Sequence, residues 1–197
     1  MARKSNFDRQ EKLLEAMELF WQRGYANTAI SDLVDTLKIN RFSLYNTFGD
    51  KQSLYYEALD AYLNSVSFPS AQTLDTSDAD WTELRTFLIS FAKLQRRRPC
   101  GCFMQNALVE HAGQDDQVLS KGHHLFDFLL QRIECALHNG QKNAKVRDDL
   151  SSHQLACLIL NQMQGMRVLG KAKRYQDLDN ALECLLLLVE NPNYERH

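Results

Sequence analysis

The chain has 197 residues, enough for one large domain or for a small domain joined to a larger one. Its 44% hydrophobic and 24% charged residues are those of a globular protein, and only eight Gly and three Pro leave few breaks among many helix formers, which excludes a strand-rich fold and points to an all-α one. The net charge of −2 rules out a uniformly basic surface, so any nucleic-acid contact must rest on locally concentrated positive groups.

In chain order, the first predicted helix runs from about Asp8 to Arg23. Leu13, Ala16, Met17 and Phe20 form its apolar stripe, with Trp21 beside it and Gly24 as terminator. Thr28 is the expected N-cap of a second helix carrying Ile30, Leu33, Val34 and Leu37 on one face. Lys38-Ile39 makes a short turn. Asn40 then caps a short helix, Arg41 to Phe48, that Gly49 ends. Asp50 caps a fourth helix with Leu54, Ala58, Leu59, Tyr62 and Leu63 toward the core.

Phe68 to Asp80, rich in Ser, Thr, Asp and Pro69, reads as a linker. Beyond it the pattern predicts helices at Trp81–Arg97, Met104–Ala112 and Asp116–His138, with a break at Pro99 between the first two. A polar loop follows at Asn139–Asp149, then two last helices at Ser151–Leu169 and Leu178–Val189. Asn139-Gly140 lacks flanking β-branched runs and does not argue for a hairpin.

The longest apolar runs, 155–160 and 184–189, fall far short of the roughly 18 residues of a membrane span. Arg3 and Lys4 have no apolar stretch behind them, so a signal peptide is not expected and a cytoplasmic location is. Cys100, Cys102, Cys135, Cys157 and Cys184 are odd in number and dispersed, which suits reduced thiols rather than a disulfide framework. Cys100 and Cys102 lack a second pair at metal-ligand spacing, and no cofactor is expected.

Two short helices joined by a turn of about three residues are the geometry of a helix-turn-helix, whose second helix enters the major groove. Ile30, Leu33, Val34, Leu37, Ile39, Leu44 and Phe48 form the inner face, and Arg41, Phe42, Ser43, Tyr45, Asn46 and Thr47 the outer one. By pattern alone a plain helical hairpin fits as well. The run Asn40-Arg41-Phe42-Ser43-Leu44-Tyr45-Asn46-Thr47-Phe48-Gly49-Asp50-Lys51-Gln52-Ser53-Leu54 also resembles the signature of TetR-family regulators. So do Ala16, Leu19, Phe20, Gly24, Tyr25, Thr28, Ile30 and Leu33 at their spacing. The resemblance covers about residues 8–63. Beyond them the chain resembles the family in helix count and length and in the stretch Gly101-Cys102-Phe103-Met104.

The resemblance implies an N-terminal three-helix DNA-binding domain at 1–53, with its helix-turn-helix at 29–48, and a helical effector-binding and dimerisation domain at 54–197. It implies a transcription regulator, not an enzyme: a homodimeric repressor that binds palindromic operator DNA and is released by a small molecule. Thr28, Tyr45 and Lys51 would contact phosphates, and Asn40, which caps the reading helix, would also belong to the DNA-binding set. Arg41, Phe42, Ser43, Asn46 and Thr47 would face bases, and Lys4 would belong to a basic arm.

Two departures stand out: Lys38 occupies a turn position where the family usually has Gly, and Phe42 a position usually held by a small residue. Tyr45 also fits packing on the first helix, and Phe42 a place in the core. Phe87, Phe91, Cys102, Met104, His124, Phe128 and Met163 are the candidate effector-lining residues, although residues of these types are more often ordinary core. The alternative reading is a repressor that senses oxidants or electrophiles through Cys102, with Arg96, Arg97 and Arg98 favouring its thiolate.

Overall fold

The structure, a computed structural model, describes residues 7–97, 100–111 and 113–193. Among these residues it has no strand and consists of α1 (Arg9–Arg23), α2 (Ile30–Leu37), α3 (Arg41–Phe48), α4 (Lys51–Tyr62), α5 (Phe68–Ser70), α6 (Trp81–Arg97), α7 (Phe103–His111), α8 (Asp116–Lys142), α9 (Ser152–Lys171) and α10 (Tyr175–Val189). The all-α reading is borne out. None of the helices is long and apolar enough to cross a membrane. The packing forms two compact units: the described residues of 1–68 with 102–123, and those of 69–101 with 124–197.

In the first unit the helix ends are set by local chemistry. Asp8, in extended conformation, accepts from the Gln10 N–H at 2.9 Å and starts α1. Asn40 accepts from the Ser43 N–H at 2.8 Å and starts α3, and Asp50 accepts from the Ser53 N–H at 2.7 Å and starts α4. The expected cap at Thr28 is corrected. α2 is capped one residue later, at Ala29, whose N–H donates to the Asp32 carboxylate at 2.8 Å. Thr28 is fully buried, and its hydroxyl donates to the Gly24 carbonyl at 2.6 Å, so it serves the turn before the helix.

α1 packs on α4 and α2, and α2 on α3, around fully buried Phe20, Leu33, Leu37, Leu44, Leu54, Tyr55 and Leu59. Lys38 ends α2 in left-handed conformation, φ 52° and ψ 37°. A side chain there costs about 1–2 kcal/mol that glycine avoids, against about 0.5–1 kcal/mol of extra chain entropy that glycine loses on folding. Lys38→Gly is therefore expected to raise stability by roughly 0.5–1 kcal/mol, read as a higher urea midpoint at unchanged slope.

The segment expected as a linker is not one. The helical path continues past Tyr62 through a π-type turn at Leu63–Ser67 into α5, with a 3₁₀ turn at Gln72–Leu74. Ala71, Leu74 and Ala79 are buried, and the Asn139 amide of α8 donates to the carbonyls of Ser77 (3.0 Å) and Ala79 (2.9 Å). Pro69, which has no N–H to donate, sits at the second residue of α5 directly after the π-type turn. α8 also extends to Lys142, beyond the expected end. Gly140 lies so close to Val146 and Trp81 that a Cβ would meet them at 2.7 and 3.3 Å, so this position tolerates only glycine.

In the second unit α10 packs on α9 and α6, and α6 on α9. The turn into α6 is clamped by Asp80. Its carboxylate accepts from the Thr82 N–H (2.8 Å), the Lys145 ammonium (2.7 Å) and the Asn143 amide (3.1 Å). Burial alone would raise this carboxyl's pKa, but the donors outweigh it and hold it at about 2. The folded value thus lies below the unfolded one of about 3.9, so the stabilisation is complete above about pH 4 and drains away as pH falls through about 2. Asp80→Asn is expected to cost about 2 kcal/mol at pH 7, by analogy with other hydrogen bonds to charged groups. Urea unfolding of the variant should also show a smaller decline than the parent between pH 4 and 2.

Candidate nucleic-acid interface

α3 is anchored from one side only. Leu44 and Phe48 are buried and Ile39 closes the turn, while Arg41, Phe42, Tyr45 and Asn46 are exposed and Ser43 and Thr47 half-buried. Phe42 retains 80% of its surface, which settles its two readings: it is not a core residue. Tyr45 is likewise exposed, and the Arg41 guanidinium stands 5.7 Å over its ring. The outer face therefore offers a cation, two aromatic rings, an amide and two hydroxyls within two helical turns, the mixture that reads base edges and grips phosphates.

Lys51 opens α4 with its ammonium 4.1 Å from the Tyr25 ring centroid, held on the same unit as α3. Asn40 is exposed and spends its side-chain oxygen on the helix cap. Thr28 departs from expectation: with its hydroxyl buried against Gly24, it is not presented to a phosphate in this arrangement. Lys4 lies outside the described residues.

The support behind this face includes residues that sequence reasoning missed. The Arg9 guanidinium lies 4.9 Å over the Phe48 ring and donates to both Glu57 oxygens, at 2.9 and 2.7 Å, tying α1 to α3 and α4. Glu110 of α7 accepts from the backbone N–H groups of Tyr25 (2.9 Å) and Ala26 (2.7 Å), clasping the α1–α2 turn. The turn needs Gly24, at φ 81°, because a Cβ there would stand 3.0 Å from the Glu110 carboxylate. No local pattern announces these partners, which lie 48 and 84–85 residues away in sequence.

Of the seven candidate effector residues, Phe87 and Phe91 come together. They line a cavity of about 260 Å³ in the second unit with Ser70, Thr73, Thr86, Ser90 and Leu94. Met163 is fully buried in α9 and is not part of its wall. His124 is exposed, and Phe128 carries the Arg132 guanidinium on its face at 3.5 Å, so neither lines the cavity. Cys102 and Met104 belong to the first unit. Cys102 is only 3% exposed, and Arg96 is committed to Asp179. A buried thiol gives oxidants and electrophiles no access, so sensing through Cys102 is not favoured.

Comparison with known proteins agrees with this geometry. Residues 13–58 match the N-terminal model of the bacterial regulatory proteins of the tetR family. The chain is 30% identical over 135 residues (66% of this chain, 64% of the relative) to the HTH-type transcriptional repressor ComR of Escherichia coli strain K12. It is 25% identical over 193 residues (95% and 96%) to the repressor DhaR of Mycobacterium sp. strain GP1. Its fold is that of the TetR-family regulator CifR, solved as a cysteine-substituted form with a 26-base-pair double-stranded operator DNA. The TM-score is 0.76 at 23% identity, covering 95% of this chain and 100% of that one. Residues 13–58 thus carry a TetR-family N-terminal domain, and the chain's helical fold is that of solved TetR-family regulators.

Proposed function

We propose that the chain is a homodimeric, cytoplasmic repressor that lays α3 in the major groove at each half of a palindromic operator and lets go when a small molecule binds. The observation that carries this reading is the one-sided anchoring of α3, with Arg41, Phe42, Tyr45 and Asn46 exposed over buried Leu44 and Phe48. Residues 1–53, with the helix-turn-helix at 29–48, make the DNA contacts: Arg41, Phe42, Ser43, Asn46 and Thr47 at base edges, Tyr45 and Lys51 at phosphates, Lys4 in a flanking arm. Asn40 fixes the start of the reading helix. ComR and DhaR are repressors by name and CifR has been seen on operator DNA, which supports carrying both properties over.

Residues 54–197 supply dimerisation and effector binding. Leu158 and Val168 of α9 and Leu187 and Leu188 of α10 are exposed, an apolar surface suited to a four-helix bundle with a second copy. The cavity at Phe87 and Phe91 takes the effector, its aromatic faces and hydroxyls fitting a small apolar molecule with hydrogen-bonding groups. An effector that prefers the released conformation about 100-fold, near 3 kcal/mol, shifts the population enough to empty the operator.

The experiment is footprinting of the purified protein on the DNA upstream of its own gene, followed by a release screen with aldehydes, quinones and lipophilic cations. A protected palindrome with half-sites one helical turn apart, or a multiple of it, and affinity that falls steeply with salt are expected. Salt-insensitive or absent binding to any upstream fragment would sink the reading.

A further inference from the structure

A chain of net charge −2 can present a cationic face to DNA only where its positive groups are not cancelled by its own acids. In the first unit most are cancelled. Arg9 pairs with Glu57 (2.7 Å), Lys12 with Glu15 (3.0 Å), Arg23 with Asp32 (3.2 Å) and Lys121 with Asp60. Among the described residues of that unit, the Lys and Arg side chains left without a carboxylate partner are Lys38, Arg41 and Lys51. All three bracket α3. Lys38 stands two residues before its cap Asn40, Arg41 is its first residue, and Lys51 lies three residues past its end. Arg41 rests over the Tyr45 ring and Lys51 over the Tyr25 ring. Lys38 is exposed in the turn, and Asp35, three residues earlier on α2, makes no ion pair with it.

Lys38 is also the strained residue of this turn. It holds a left-handed conformation, φ 52°, that glycine adopts freely, and no contact of its ammonium among the described residues offsets that strain. A lysine that stabilises nothing in its own fold, beside the helix anchored to read DNA, has its reason outside the fold. We propose that Lys38 contacts a DNA phosphate, as a third cation beside Arg41 and Lys51. Its charge sits on a flexible four-carbon stem that can follow the backbone walling the major groove next to α3. Such a contact fixes the position of the protein on the duplex and carries no base preference, in contrast to Arg41 at a base edge. The turn thereby gives up stability and gains affinity. The assignment rests on α3 being the reading helix.

The test measures binding of the full chain to the fragment upstream of its own gene and to an unrelated duplex, between about 50 and 200 mM salt. Lys38→Gln removes the charge while keeping a straight side chain and the left-handed backbone. It should weaken both duplexes alike, about tenfold at the low salt and about threefold at the high, a salt slope smaller by about one. Lys38→Arg, which keeps the charge, should bind like the parent. Lys38→Gly should show opposite signs, a higher urea midpoint together with the same loss of DNA affinity. Arg41→Ala runs alongside to separate two failures. If it erodes the preference for the upstream fragment while Lys38→Gln keeps the parent's salt slope, the assignment of Lys38 is overturned and α3 remains the reading helix. If neither variant changes binding, both readings fall. A loss in Lys38→Gln confined to the upstream fragment, or one that Lys38→Arg shares in full, would also overturn the phosphate contact.

Discussion

Replacing Arg41 by alanine is expected to weaken operator binding by about 5- to 150-fold, the 1–3 kcal/mol of one good base-edge contact, while leaving the fold intact. Arg41 is the first residue of α3, exposed, with no part in the core, so its guanidinium is free to reach a guanine edge. Tyr45, one turn further along the same face, should cost a comparable amount but in a different way. A phosphate contact carries no sequence information, so Tyr45→Ala should weaken operator and unrelated DNA together, whereas Arg41→Ala should erode the preference for the operator. The two substitutions are not independent, because the guanidinium rests over the Tyr45 ring at 5.7 Å. The double variant should therefore lose a different amount from the sum of the singles. Fluorescence anisotropy on operator and scrambled duplexes at several salt concentrations, with circular dichroism to confirm unchanged helicity, separates these outcomes. If both single variants bind the operator as tightly as the parent, α3 is not the reading helix.

The spans of α1, α3 and α6 are legible in the sequence because their determinants are local. An apolar period of 3.6, a capping Asp8 or Asn40 and a terminating Gly24 or Gly49 all act within a few residues of the backbone they govern. Thr28 shows where that logic fails. A hydroxyl residue ahead of an apolar run satisfies the N-cap rule, but here the turn brings the Gly24 carbonyl within 2.6 Å, and Asp32 from inside the helix takes over the cap. The stretch from Phe68 to Asp80 fails for the complementary reason. Its polar composition resembles a linker, yet three small or apolar residues and one amide from α8 are enough to pin it.

The exposed face of α3 is legible because a helix exposes or hides residues by period, and the outer residues of α3 fall on the side away from Leu44 and Phe48. Its supports are not. Arg9 meets Glu57, and Glu110 meets Tyr25 and Ala26, only after distant helices have docked. The cavity follows the same division. Phe87 and Phe91, four apart on α6, share a wall by helix geometry, whereas His124, Phe128 and Met163 depend on how α8 and α9 are rotated in the second unit.

The largest loss of stability is expected from Phe20→Ala. Phe20 lies midway along the buried face of α1 with no exposed surface, its ring edge-on to Tyr55 at 5.1 Å and stacked with Tyr25 at 6.4 Å. Truncation removes the burial of a whole ring and leaves a void among side chains fixed on α4 and the α1–α2 turn. Such changes cost about 3–5 kcal/mol, and aromatic pairs of this geometry add about 0.5–1.5 kcal/mol each beyond area. Against a typical total of 5–15 kcal/mol that is a large share. Tyr55 sharpens the effect, because its hydroxyl is buried without a hydrogen-bond partner among the described residues, so its ring is held there by packing. The reading face should suffer with the core, since α1 also holds Arg9 against Phe48. Operator affinity of Phe20→Ala should therefore fall at lower urea than in the parent, although no residue of α3 has changed. Phe42→Ala is the matched control: an aromatic of the same size, 80% exposed, whose loss should leave the urea midpoint within about 0.5 kcal/mol of the parent while weakening DNA binding. Were Phe20→Ala no more destabilising than Phe42→Ala, the packing of α1 on α4 would not be what holds the DNA-reading helices in place.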